Sequence, residues 1–179
     1  MPTVSQGFWE TVGMCGEPGV EMVLLNLRPA EADGPGMSAV VGTATDMPEF
    51  GDKQFDVVFS NSVIEHVGDF ADQRRMADEV QRVGRRYYVQ TPNRYFPMEP
   101  HFLFPLFGVL PIPVRAFLLR HLSLGWYTKI DDRAESFRVA RSIRLLTKRE
   151  LLSLFPGGQL VRERVAGLTK SYTVFGGDW

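Results

Sequence analysis

A strand, a helix and a second strand follow one another between residues 55 and 91, and this unit constrains the fold more than any other part of the sequence. Phe55 to Ser60 is a β-branched and aromatic run typical of a buried strand. The helix is predicted to start at Asp69 and to stop at Gly84. Its apolar face repeats at helical spacing, at Met76, Val80 and Val83.

The second strand of this unit runs from Arg86 to Thr91. Such crossovers are almost always right-handed, which makes the two strands parallel and indicates an α/β fold. Thr147 and Glu150 have the spacing of a capping box, which predicts a helix over 148–154. Further strands are predicted at residues 22–27, 38–42, 159–165 and 171–175. The last two, around a turn near Gly167, predict an antiparallel hairpin at the edge of a doubly wound, mostly parallel sheet.

The segment 96–127 interrupts this pattern, because it is rich in Phe, Leu and Pro. Its prolines limit it to short helices, one of them predicted over Val114 to Leu122, and argue against a transmembrane span. We interpret it as a lid over the active edge of a single domain that spans residues 1–179. Tyr95 just before it and the first aromatic residues within it either pack against the sheet or line an apolar substrate pocket: Tyr95, Phe96, Phe102, Phe104 and Phe107.

The net charge of −1 hides an asymmetry between the two halves of the chain. Residues 1–84 carry 14 acidic and 5 basic residues, a net charge of −9, and residues 85–179 carry 7 acidic and 15 basic, a net charge of +8. Either the halves attract each other, or a basic surface near the substrate entrance favours an anionic substrate or anionic lipid head groups. The basic residues alternate with apolar ones, which does not favour nucleic acid. They include Arg115, Arg120, Lys129, Arg133, Arg138, Arg141, Arg144, Lys148 and Arg149.

The single cysteine, Cys15, excludes an intramolecular disulfide and a multi-cysteine zinc site. No arrangement of His, Cys and carboxylates has the spacing of metal ligands. The N-terminal residues lack the charged start and apolar run of a signal peptide, so a cytoplasmic location is expected.

In open parallel sheets, ligands bind outside the carboxyl ends of the strands. Here those ends are polar or turn-forming: Asn26-Leu27, Gly42-Thr43, Ser60 to Ser62 and Thr91 to Asn93. The stretch Gly51 to Val67, with its Phe-Asp, hydrophobic strand and Glu-His pair, resembles the fourth-strand motif of class I S-adenosylmethionine-dependent methyltransferases, of the methyltransferase type 11 kind. Residues 41–48 resemble the third-strand motif of that family, residues 82–93 the fifth, and the final hairpin its last two strands.

This resemblance implies a seven-stranded doubly wound sheet with S-adenosylmethionine as cofactor. It covers residues 20–95 well and 145–176 loosely. The first strand of the family is not found, which suggests an N-terminally truncated product, a start assigned too late or a degenerate paralogue. A missing strand would also leave a sheet edge exposed, where two copies of the chain could pair as a homodimer.

The family's cofactor positions carry unusual residues in this sequence. Only Gly7 resembles a remnant of the glycine-rich loop. Asn26 stands where a carboxylate holds the ribose hydroxyls, and Thr43 where another accepts from the adenine amine, with the amide of Ala44 next to it. Asn61 and Ser62 are expected to line the methionine end. Because charge-assisted hydrogen bonds are roughly twice as strong as neutral ones, we expect ~10²-fold weaker cofactor binding.

His66, beside Glu65, is a candidate general base, because an unperturbed imidazole pKa of about 6.5 suits that role. The alternative is that this pair opens a helix and makes local polar contacts. His101 is a second candidate, oriented by Glu99, or else an ordinary loop histidine. His121 is interpreted as structural.

Asn93 and Tyr95 are candidates for contact with the substrate. Methyl transfer mainly requires alignment of the acceptor with the methyl group. The sequence therefore favours methyl transfer to a small molecule, a lipid-linked compound or a glycan. The alternative is an impaired relative that serves as a binding, regulatory or peripheral membrane protein.

Overall fold

The computed structural model describes residues 19–32, 34–99, 102–125 and 127–178. Two compact units make up the chain, Met1–Met47 and Pro48–Trp179. In the first unit, β1 (Met22–Asn26) pairs in parallel with β2 (Met37–Val41). The amide of Gly42 donates to the carbonyl oxygen of Asn26 at 2.9 Å, so the carboxyl ends of these strands lie side by side. Both predicted strands are confirmed to within one residue at each end.

The second unit contains a sheet of four strands, β3 (Phe55–Asn61), β4 (Gly84–Pro92), β7 (Gln159–Val165) and β8 (Leu168–Gly177). Across the sheet they lie in the order β3-β4-β8-β7. The pair β3 and β4 is parallel, and β8 is antiparallel to both of its neighbours. This confirms the predicted strand–helix–strand unit and the C-terminal hairpin. The hairpin strand β8 is longer at both ends than the predicted 171–175.

Helix α1 (Phe70–Val83) connects β3 to β4 and packs against both strands. Its predicted start is confirmed: the Asp69 carboxylate accepts from the amides of Ala71 and Asp72. Gly84 ends the helix as predicted, although its φ of −97° is not the left-handed cap conformation of many glycines. A Cβ at this position would lie 2.7 Å from Val58 Cγ2, so glycine is needed here for close approach to β3.

The lid segment forms more structure than its prolines suggested. It contains a hairpin of β5 (Met98–Glu99) and β6 (Phe104–Pro105), followed by α2 (Ile112–His121). Helix α2 starts two residues earlier than predicted, because Pro111 and Pro113 lie at its N-terminus, where a proline ring is tolerated. The next two helices are α3 (Arg133–Arg141), which no pattern predicted, and α4 (Lys148–Leu154), whose predicted bounds and capping box are confirmed.

The aromatic residues of the lid build a hydrophobic core of their own with α2 and α3. Phe102 and Phe107 are 2% and 1% exposed, their ring centroids are 4.0 Å apart, and Leu119 and Val139 belong to the same cluster. Of the two alternatives, this pair therefore has the core one, although the buried cluster around it is not formed by the strands of the four-stranded sheet. Tyr95, in contrast, is 62% exposed. The role of the segment as a lid stays a prediction.

One face of the four-stranded sheet is covered by α1 and α4. On the other face Val57, Phe59 and Tyr88 are exposed, and the rings of Phe59 and Tyr88 stack at 5.2 Å. Among the described strands of this unit, β3 pairs with β4 alone. Pairing of two chains through this edge stays a prediction. None of the helices in the described ranges is both long and apolar enough to cross a bilayer.

Candidate functional site

Ser62 directly follows β3 and has left-handed backbone geometry, with a φ of 53°. Non-glycine residues rarely adopt this conformation, and it concentrates at functional sites. Gln90 of β4 holds it in place, because the side-chain oxygen of Gln90 accepts from the Ser62 amide at 3.1 Å and from the Ser62 hydroxyl at 2.9 Å. The Gln90 carbonyl accepts from the same amide at 3.1 Å. Asn61, the last residue of β3, is exposed beside this turn.

The next residues form a short 3₁₀ turn, Ile64–His66, in which the Glu65 side chain is fully buried. The hydroxyl of Thr91, also fully buried near the end of β4, donates to Glu65 Oε2 at 2.9 Å. Glu65 thus makes the local polar contact that the sequence offered as an alternative to catalysis. His66 is half-buried in the same turn, and its role as a base stays a prediction.

The Gln73 side chain and the backbone amide of Arg144 hold this turn by its main chain. The Gln73 amide of α1 donates to the carbonyl oxygens of Ile64, at 2.9 Å, and of Arg144, at 2.8 Å. The backbone amide of Arg144 donates to the carbonyl oxygen of Glu65 at 2.8 Å. The Arg144 guanidinium in turn donates to Gln73 Oε1 at 2.7 Å and to the Glu150 carboxylate. The position of the turn therefore depends on α1 and on the segment that leads into α4.

Glu150 links this network to the cap of α4. Partial burial alone would raise the pKa of its carboxyl group. The amide of Thr147, the Arg144 guanidinium and the Thr147 side chain outweigh that effect, so the pKa lies below its ordinary value of 4.5. The carboxylate is thus stabilised in its ionised form at the N-terminus of α4.

Asn93 and Tyr95 follow β4, as predicted, but both polar ends of the Asn93 side chain are engaged by the protein. Its amide donates to the Thr169 carbonyl oxygen at 2.8 Å, and its oxygen accepts from the Tyr95 amide at 3.1 Å. Asn93 is 7% exposed, and its hydrogen bonds fix the conformation of the chain that follows β4. The Tyr95 ring is exposed, and contact with a substrate stays a prediction for both residues.

In the first unit, Asn26 is exposed at the end of β1, next to the loop that follows β2. The hydroxyls of Thr43 and Thr45 are 2.9 Å apart, and the amide of Asp46 donates to the Thr43 carbonyl oxygen at 3.2 Å. Thr43 and Ala44 therefore belong to one tight turn. Asn26 and this turn occupy the same carboxyl edge of the two-stranded sheet, as expected.

Two predicted site residues, Gly7 and His101, lie outside the described residues, as does the side chain of Glu99. No group of three or more His, Cys, Asp or Glu residues in the described ranges could hold a metal ion.

Three residues that support the site were not predicted for that role from the sequence: Gln73, Gln90 and Arg144. One signal was readable for Gln73, because it lies three residues before Met76 on the apolar face of α1. A polar residue on that face, here 0% exposed, indicates a buried hydrogen-bond network.

A family model described as "Methyltransferase domain" matches residues 8–86, the stretch that carries β1, β2, β3 and α1. Curated relatives include the uncharacterized proteins of two Mycobacterium tuberculosis strains, each 39% identical over 82 residues. The match covers 45% of this chain and 27% of each relative, so it spans about a quarter of their length.

Two solved structures share the fold. The PH0226 protein from Pyrococcus horikoshii OT3 has a TM-score of 0.55 at 19% identity, over 95% of this chain and 76% of that one. The N-terminal domain of EvdMO1, crystallised with SAH bound, has a TM-score of 0.55 at 14% identity, over 93% and 68% of the two chains.

These likenesses confirm the predicted Rossmann-like α/β fold. The match of residues 8–86 to the methyltransferase-domain model agrees with the resemblance of the strand motifs to class I S-adenosylmethionine-dependent methyltransferases.

Proposed function

We propose that this chain binds S-adenosylmethionine at the carboxyl ends of its parallel strands and transfers the methyl group to a small molecule, a lipid-linked compound or a glycan. The match of residues 8–86 to a methyltransferase-domain model supports methyl transfer in general. The observation that carries the proposal is the left-handed backbone of Ser62 at the end of β3. Three hydrogen bonds from the Ser62 amide and hydroxyl to the oxygens of Gln90 maintain it. Strain that is held in this way is typical of a binding site.

Each of these strand ends offers neutral hydrogen-bonding groups suited to a part of the cofactor. Asn26 and Asn61 are both exposed, and each amide can donate to one oxygen and accept from one hydroxyl. The tight turn at Thr43 and Ala44 presents backbone groups for the adenine ring. Because Asn26 and Thr43 replace carboxylates of the family pattern, we expect weaker affinity than a charge-assisted site gives.

When bound, the cofactor supplies an activated methyl group on its sulfonium. The chain then has to align an acceptor atom with that methyl group and to keep the site rigid. His66 is half-buried in the turn after β3, where it could accept a proton from the acceptor. Glu65 and Thr91 hold that turn from the interior through their hydrogen bond.

Calorimetric titration with S-adenosylmethionine and with its demethylated product tests whether the turn at Ser62 binds the cofactor. Gln90→Leu removes the side-chain oxygen that accepts from Ser62, so we expect at least about 10-fold weaker binding, from two lost hydrogen bonds at about 1 kcal/mol each. Gln159→Leu, the same change at an exposed position of β7, serves as the matched control and should leave the affinity unchanged.

Equal weakening by both variants would show that Ser62 is not part of the site. If the wild-type chain binds neither compound at millimolar concentration, the proposed function is wrong. Binding without methyl transfer to any acceptor would instead identify a catalytically impaired relative.

A further inference from the structure

Helix α3 presents an aromatic ring between two arginines. Arg133, Phe137 and Arg141 are spaced four residues apart, so they lie along one face of the helix. The guanidinium carbons of Arg133 and Arg141 lie 6.0 Å and 5.7 Å from the centroid of the Phe137 ring. Two cations therefore lie near one half-buried ring. The distance between their guanidinium carbons cannot exceed the sum of the two distances to the ring centroid.

Neither of these two guanidiniums is neutralised within the described part of the chain, where the ion pairs involve other residues. The third arginine of the helix differs, because Arg138 donates through two nitrogens to the Glu135 carboxylate. The Asp132 carboxylate is likewise engaged, as the cap that accepts from the Glu135 amide at 2.6 Å. Two like charges held near each other without a counterion favour the binding of an anion from solution.

The same residues line an open cavity of about 870 Å³, a volume within the range of small-molecule sites. Its wall contains three arginines and one acidic residue, so its net charge is positive. The lining residues are Asp132, Arg133, Ala134, Phe137, Arg138, Arg141 and Ser142. A ligand here would meet a flat apolar surface and cationic groups at the same time.

This cavity ends close to the candidate site. Arg141 precedes Arg144 by three residues, and the Arg144 amide donates to the carbonyl oxygen of Glu65 at 2.8 Å. Three residues of chain span at most about 10 Å, so the backbone of Arg141 lies within about 13 Å of the Glu65 carbonyl oxygen, in the turn that carries His66. A ligand anchored at Arg133 and Arg141 could therefore extend toward the end of β3.

We propose that Arg133, Phe137 and Arg141 bind a phosphate-bearing small molecule, with the guanidiniums on the phosphoryl oxygens and Phe137 against a planar or apolar part. Guanidinium groups bind phosphate through parallel hydrogen bonds, and a phosphate monoester carries nearly two negative charges to balance two cations. The further step, that this molecule is the methyl acceptor, rests on the proposed function.

The test is calorimetric titration of the full chain, without cofactor, with phenyl phosphate as the probe. The double variant R133Q/R141Q should bind it at least 10-fold more weakly than wild type, a loss of about 1.4 kcal/mol or more. Arg149→Gln removes the same charge from the exposed surface of α4 and should leave the affinity unchanged. Phe137→Leu should weaken phenyl phosphate while leaving inorganic phosphate unaffected, because only the former uses the ring.

Circular dichroism and melting temperature confirm that each variant is folded. If R133Q/R141Q does not fold, R133K/R141K takes its place, because it keeps both charges but loses the paired N–H donors of each guanidinium. Weaker binding of phenyl phosphate by that variant still supports the site. Equal affinity of wild type and the charge-removing variant would overturn the proposal. Sedimentation with phosphatidic acid vesicles, without any binding of phenyl phosphate, would also overturn it and identify a bilayer as the anionic partner.

Titration of R133Q/R141Q with S-adenosylmethionine separates this proposal from the proposed function. Unchanged cofactor affinity together with lost phenyl phosphate binding supports a separate ligand site. If the wild-type chain does not bind the cofactor but R133Q/R141Q still loses phenyl phosphate binding, the phosphate site is supported. Only the claim that its ligand is the methyl acceptor then fails.

Discussion

Substitution of Thr91 by Val removes one hydroxyl from the interior while nearly preserving the shape of the side chain. Thr91 and Glu65 are both fully buried, and the hydroxyl donates to Glu65 Oε2 at 2.9 Å. Water cannot replace the lost donor at such a position without an opening of the structure. Loss of a buried partner costs about 1–3 kcal/mol, and the upper part of that range applies when the acceptor is ionised.

Urea-induced unfolding measures this cost as a change in the free energy of unfolding. For a chain of this length, about 2 kcal/mol also corresponds to a fall in melting temperature of roughly 4–8 °C. Thr173→Val is the matched control. This residue lies on neighbouring β8, is 8% exposed and makes no side-chain hydrogen bond within the described ranges. We expect the control to change stability by less than about 0.5 kcal/mol.

Equal destabilisation by the two Thr→Val substitutions would refute the reasoning. The change in the free energy of unfolding would then come from the loss of a buried hydroxyl in general and not from the loss of its hydrogen bond to Glu65. A Thr91 variant as stable as wild type would refute it as well. If the hydrogen bond from Thr91 to Glu65 positions the adjoining turn, Thr91→Val should also weaken S-adenosylmethionine binding, whereas Thr173→Val should not.

Three further predictions concern packing, pH and the lid. Gly176→Ala should destabilise the fold by about 1–3 kcal/mol, measured by chemical unfolding, because the new Cβ would lie 2.6 Å from the Tyr87 hydroxyl. The stability difference between wild type and Glu150→Gln should be present near neutral pH and should shrink as the pH falls below 4.5, because the folded pKa is depressed and its contribution is lost on protonation; no narrowing in an acid titration of melting temperature would contradict this. Arg115→Met should lower the melting temperature, since its guanidinium donates to the carbonyl oxygens of Leu110 and Gly108 in the lid; unchanged stability would show that those carbonyls are satisfied by water.

Sequence periodicity and capping patterns predicted the elements that depend on local signals. The apolar face of α1, its Asp69 cap and the Thr147–Glu150 capping box each lie within a few residues of one another, so they could be read directly. The helix α3 was missed, because five of its nine residues are charged or polar and its apolar face is too short to show a helical period. The separate core around Phe102 and Phe107 depends on contacts between distant segments, which spacing does not reveal.

The same distinction holds at the candidate site. Asn61 and Ser62 could be placed at the end of β3, because strand ends follow from the apolar run itself. The left-handed backbone of Ser62 could not, since it depends on Gln90, 28 residues away. Arg144 was read as one member of a basic surface. Its contacts with Gln73, 71 residues earlier, give it instead a role in positioning the turn that carries His66.

Hydrogen exchange in the presence of saturating S-adenosylmethionine tests the central claim most directly, because it reports where the cofactor binds as well as whether it does. The proposed site predicts slower exchange of backbone amides in two stretches, residues 42–46 after β2 and residues 61–66 after β3. Exchange in the β7–β8 hairpin should be unchanged. Protection confined to other parts of the chain, or none at a concentration that saturates the protein by calorimetry, would contradict cofactor binding at the carboxyl ends of these strands.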